Sequence, residues 1–192
     1  QKLNNLKKFS KYSEELDPKN PNAPAMLSCY HIFQGDFEQA KIYSDRSINL
    51  NPSYPEAHTY YGHALVHSGE YEKSKEHFYK AKELNPLDPK SIEYLAGITI
   101  ADIGLGLFED ALKINEQCIE QFPDTVFYLG LKASILGHLN RVIESKKYLK
   151  QYLNLRPNLK TRSDYKKMFI PNSVLADKII DGLIKAGWKP ED

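Results

Sequence analysis

His63 and His67 stand four residues apart in the stretch His63-Ala64-Leu65-Val66-His67, a spacing that brings two imidazoles to one face of a helix and could hold a divalent metal. A zinc-hydrolase helix also needs a glutamate directly after the first histidine to act as base, and Ala64 occupies that place. The other histidines, His31, His58, His77 and His138, form no ligand cluster in the sequence. Gly104-Leu105-Gly106 has the outline of a phosphate loop, but no strand precedes it, no third glycine follows at the required place and no Lys-Ser/Thr pair lies near. There is no Gly-x-Ser-x-Gly elbow, no cysteine set in motif with a histidine, and no carboxylate pair in an acid-base setting. Cys29 and Cys118 lie far apart, without Cys-x-x-Cys spacing, and read as small buried thiols. These patterns predict no catalysis, no metal and no cofactor. His63 and His67 are expected instead to face the inner groove as neutral or peptide-contacting side chains.

The chain of 192 residues is 41% hydrophobic and 27% charged, enough apolar matter to build a core. Its 26 Lys+Arg against 25 Asp+Glu give a net charge of +1, so no overall field draws it to nucleic acid, and nucleic acid is not expected as a partner. No apolar run reaches the length of a membrane span, and Gln1-Lys2-Leu3-Asn4-Asn5 begins no signal peptide. The sparse cysteines fit a reducing compartment, so a cytoplasmic location is expected.

The elements that must position any site follow a repeat. Glu15-Leu16-Asp17-Pro18, Asn49-Leu50-Asn51-Pro52 and Glu83-Leu84-Asn85-Pro86 recur at a spacing of 34 residues, and Pro123 and Pro157 are separated by the same interval. Gly35-Asp36-Phe37 and Gly69-Glu70-Tyr71 keep that spacing, as do Ser28 and Gly62. Between Pro86 and Pro123 the interval is 37, and the matching of Phe108 with Tyr71 but Ala96 with Gly62 places three extra residues within 101–107, as a lengthened turn between helices. Each unit reads as a helix, a tight turn, a second helix and a proline-bearing link. In the second unit Ser53 and Glu56 predict a capping box, Gly69 ends the first helix, and Pro86 stops the second because it lacks an amide hydrogen. Asp88-Pro89 repeats the start signal.

A helix-turn-helix of this length, with small residues at its eighth and twentieth places (Ser28, Gly62, Ala96, Ala133; Ala40, Ser74, Ala111, Ser145) and proline at its thirty-second, resembles the tetratricopeptide repeat. The resemblance implies an all-α fold, a right-handed α-α superhelix of antiparallel helix pairs. Its units would be 21–54, 55–88, 89–125 and 126–159, with 1–18 as the second helix of a truncated repeat and 160–192 as a linker and capping helix. A half-repeat leaves an apolar face uncovered, so the natural protein is expected to extend N-terminally of Gln1. The family's tryptophan at the fourth place is here Pro24, His58, Ile92 and Leu129, a departure from consensus but not from architecture.

In this family the first helices line a concave groove that takes a peptide or protein segment. Carried over by position, the groove residues are Met26, Cys29 and Phe33 in the first unit, and Glu56, Tyr60, His63 and His67 in the second. Lys90 and Tyr94 follow in the third unit, and Phe127, Ser134 and His138 in the fourth. Tyr60, Tyr94 and Phe127 form an aromatic stripe suited to peptide contact. The clamp by which some members grip an acidic chaperone C-terminus would fall on Ala25, Cys29, Tyr60, Lys90 and Tyr94, and only the lysine fits. That ligand class is disfavoured.

Residues 160–171 show no helical period, whereas Asn172-Ser173 can cap an amphipathic helix over 174–186 with Leu175, Ile179, Leu183 and Ala186 on one face and Gly187 at its end. Covering the last repeat is its expected role, and dimerisation of two copies is the rival. The ending Asp181-Gly182-Leu183-Ile184-Lys185-Ala186-Gly187-Trp188-Lys189-Pro190-Glu191 resembles the C-termini of repeat regions in bacterial class III adenylate/guanylate cyclases. The chain is thus expected to be a non-catalytic interaction scaffold of a larger signalling protein, or else the regulatory or dimerisation arm of a cyclase.

Overall fold

The computed structural model describes residues 2–87, 91–171 and 173–191, and every regular element among them is an α-helix. The helices are α1 (Lys2–Leu16), α2 (Asn22–Gln34), α3 (Phe37–Leu50), α4 (Pro55–Ser68), α5 (Tyr71–Leu84), α6 (Ser91–Leu105), α7 (Phe108–Gln121), α8 (Val126–His138), α9 (Val142–Asn154), α10 (Arg162–Lys167) and α11 (Ala176–Lys185). The chain divides into two compact units, Gln1–Gly97 with Ile170–Asn172, and Ile98–Phe169 with Ser173–Asp192.

The turns within helix pairs need a backbone that folds back in two residues. Gly35 and Gly69 adopt φ of 71° and 95° and close α2 and α4. A left-handed residue there directs its amide at the last carbonyls of the helix, a conformation that costs a Cβ-bearing residue about 1–2 kcal/mol. Asp36 then caps α3 through its carboxylate, which accepts from the Gln39 amide at 3.3 Å. The links between pairs carry Pro52, Pro86, Pro123 and Pro157, and the helices before them stop at Leu50, Leu84, Gln121 and Asn154.

Four local expectations are corrected. Ser53 does not cap α4: the helix starts at Pro55, whose fixed φ suits the first position, and Asn51 Oδ1 instead accepts from the Ser53 amide at 2.9 Å in a turn. The three extra residues do not lengthen a turn, because α6 continues through Leu105 and the link to α7 is only Gly106-Leu107, as short as Gly35-Asp36 and Gly69-Glu70. Three residues are nearly a full helical turn, so they can be absorbed without breaking the hydrogen-bond ladder. Residues 162–167 form a helix, nucleated by a capping box in which Thr161 and Asp164 satisfy each other's amides. The last helix begins at Ala176, with Ser173 Oγ accepting from the Leu175 amide at 3.4 Å. The start signal Asp88-Pro89 lies outside the described residues.

In the first unit α2 packs on α3 and α4, and α4 on α5. Phe78 of α5 is fully buried. A Cβ on Gly62 would come within 2.8 Å of its ring, and one on Gly97 would overlap the ring outright, so the phenyl lies between two helices whose glycines let them approach. Ser28 of α2 and Ser44 of α3, both fully buried, meet hydroxyl to hydroxyl at 2.7 Å, another contact that only small side chains allow. In the second unit α8 packs against α7, α9 and α11, with the Tyr152 ring against Gly130.

Candidate functional site

The first helices of the first unit expose a mixed aromatic and polar face. Met26 and Cys29 on α2 are half-buried, and Phe33 is exposed. Glu56 and Tyr60 on α4 are half-buried. The Cys29 thiol and the Tyr60 hydroxyl hydrogen-bond to each other. Burial pushes the Cys29 thiol up to about 11 and raises the Tyr60 phenol as well, with the negative charge of Glu93 acting in the same direction. Cys29 is therefore a protonated thiol without nucleophilic character. Tyr60 and Ile170 both pack on a core cluster of Ile32, Ala40 and Ala64.

His63 and His67 serve packing. His63 meets the Phe78 ring edge-on at 5.0 Å, and His67 stacks on Phe37 at 5.9 Å with only 5% exposure. Burial lowers His63 to about 4 and His67 to about 3, so both are neutral at physiological pH. Among the described residues no three His, Cys, Asp or Glu side chains gather as a metal would require. On the opposite side of α4, His58 and His77 share a ring-nitrogen contact of 3.0 Å, and the other nitrogen of His58 lies 3.1 Å from the Pro52 carbonyl. Donation to that carbonyl leaves His58 Nδ1 as acceptor from His77, a neutral pair whose basicity burial depresses on both rings. Tyr94 is nearly buried, at 3% exposure. Lys90 lies outside the described residues.

The second unit presents a different surface. Phe127 is exposed, but Ser134 is fully buried and donates its hydroxyl to the Ile179 carbonyl of α11 at 2.9 Å. His138 Nε2 donates to the Lys178 carbonyl at 2.9 Å, its Nδ1 faces Lys185 Nζ at 3.3 Å, and its ring stacks on Phe108 at 4.2 Å. Lys178 donates to the Gly104 carbonyl at 2.6 Å. Gly137 and Gly182 make this possible: a Cβ on Gly137 would run into the Gly182 carbonyl, and one on Gly182 into Ser134. Leu175, Ile179, Ile180 and Leu183 are at most 1% exposed beneath α11. The face on which Ser134 and His138 sit is filled by the chain's own C-terminal helix.

A family model described as the tetratricopeptide repeat matches residues 25–54, 55–86 and 128–159. These three stretches are tetratricopeptide repeats. No curated protein sequence matches it at a significant level. Among solved structures, MamA (residues 41 to the end) from Desulfovibrio magneticus RS-1 superposes with a TM-score of 0.67 at 13% identity, over 81% of this chain and 86% of that one. PilF of Pseudomonas aeruginosa gives 0.69 at 12% identity, over 92% and 76%. YrrB, described as a tetratricopeptide-repeat protein with an unusual peptide-binding site, gives 0.63 at 14% identity, over 93% and 92%. At such identities the likeness speaks for the fold alone.

A tetratricopeptide-repeat fold is a scaffold for protein contacts, and no described helix is long and apolar enough to cross a membrane. Of the predicted groove residues, Met26, Cys29, Phe33, Glu56 and Tyr60 remain at least partly accessible on the first unit, while His67 and Tyr94 are buried and Ser134 and His138 are covered by α11. Sequence reasoning did not place Ile170 against the first unit's core cluster. Its only signal was an isoleucine directly before proline in a segment without helical period.

Proposed function

We infer that the chain is a non-catalytic scaffold that binds a protein or peptide segment on the α2 and α4 face of its first unit. The observation that carries this reading is the contrast between the two units: Phe33 and Tyr60 stay accessible on one, whereas α11 is bonded into the other through Ser134, His138 and Lys178. Protonated Cys29, the Phe33 and Tyr60 rings and the carboxylate of Glu56 give that face, among the described residues, a partly aromatic character without cationic groups, which favours apolar side chains over carboxylates. The cyclase-arm reading rests on the ending Asp181–Glu191, and there Gly182, Leu183 and Ala186 already serve the packing of α11.

Selection of a displayed random-peptide library against the chain tests the reading. Selected peptides should lose binding to Phe33→Ala and Tyr60→Ala but not to Tyr79→Ala, whose ring is exposed on α5. Peptides indifferent to Phe33 and Tyr60 yet lost on Tyr79→Ala would move the binding surface to the second helices and defeat it.

A further inference from the structure

We propose that Ile170-Pro171 is the chain's own occupant of the first unit's face, and that the partner admitted there is an extended segment presenting an aliphatic side chain directly before proline. The inference rests on the binding face proposed above and specifies its ligand. Ile170 and Pro171 cluster with the first unit. Ile170 packs on the Ile32, Ala40 and Ala64 cluster, as does the half-buried Tyr60 of α4. Its backbone is not helical, and Pro171 after it disfavours helix and favours extended geometry, so the side chain is presented with little ordering cost.

The contact is also built to yield. Pro171 directly after Ile170 is exposed, and Ile170 itself is only half-buried. By comparison α11 is held by four aliphatic side chains at most 1% exposed and by hydrogen bonds from Ser134, His138 and Lys178. A segment arriving in trans therefore displaces Ile170 and leaves α11 in place. Because the internal copy is tethered, it competes at an effective concentration on the order of millimolar.

The test is an NMR titration of the full chain with a synthetic peptide copying residues 166–174. Ile170→Ser should bind it about tenfold more tightly than the unaltered chain, with amide shifts concentrated on α2 and α4, since roughly half of an isoleucine's burial is removed from the competitor. A peptide carrying serine in place of its isoleucine should not bind, and Tyr60→Ala in the Ile170→Ser background should abolish the response. Pro171→Gly, which keeps the isoleucine but loosens its presentation, should tighten peptide binding by a smaller factor and guards against an unfolded first variant. Equal affinity in the unaltered and Ile170→Ser chains, or no response in either, overturns this inference. Library peptides that still bind through Phe33 and Tyr60 would then leave the proposed function standing, and their absence would remove both.

Discussion

Substituting Gly97 by alanine tests the packing that holds the first unit together. In an exposed helix interior the change would stabilise by about 1 kcal/mol, because alanine loses less backbone entropy than glycine. Here the new methyl would overlap the Phe78 ring. The ring cannot retreat, since it is fully buried and Gly62 presses on it as well, where a Cβ would stand at 2.8 Å. Overpacking of a closed site costs about 1–3 kcal/mol, and this one belongs at the upper end. Gly97→Ala should therefore destabilise by a net ~2 kcal/mol, or about 4–8 °C in Tm. Phe78→Ala should cost about 3–5 kcal/mol on its own. With the ring gone, Gly97→Ala should turn stabilising by about 1 kcal/mol, so a double-mutant cycle yields a coupling of about 3 kcal/mol. Urea unfolding of the four proteins followed by far-ultraviolet circular dichroism measures it. Additive effects, or a rise in Tm for Gly97→Ala alone, would refute the claim that the two glycines exist to admit this ring.

The remaining expectations concern the second unit, a histidine and a cap. Gly182→Ala should push α11 off α8, costing about 2–3 kcal/mol and raising amide hydrogen exchange across 176–186, since the methyl would meet Ser134. His67 is held neutral by burial, with its basicity lowered from 6.5 to about 3. Its stabilising effect is thus complete above pH 6.5 and is lost as the pH falls toward 3, about 2 kcal/mol by pH 5, and urea midpoints at pH 7.5 and 5.0 should converge by that amount in His67→Gln. Thr161→Ala should cost about 1 kcal/mol in urea unfolding by removing the cap of α10, while Thr161→Ser keeps most of it.

The repeat, its helix pairs and its glycine turns were legible in the sequence because they rest on local chemistry. Gly35 and Gly69 supply left-handed backbone, the prolines deny an amide, and apolar residues at helical spacing define one face for each helix. The three extra residues near 101–107 were visible as a number but not as a shape. Whether they open a turn or extend a helix depends on what α6 packs against, and Gly104 and Leu105 are compatible with either.

Position in the repeat named the residues that point inward from the first helices, and it could do no more, since a periodic pattern says which side chains share a face and not what comes to cover it. Tertiary structure decided that Ser134 and His138 lie under α11, that Gly97 faces Phe78, and that Ile170 packs on the cluster of Ile32, Ala40 and Ala64. Each of these pairs is distant along the chain or set by a helix crossing. The energy of such contacts depends on complementary shape at separations of a few ångström, which no spacing within a single helix encodes.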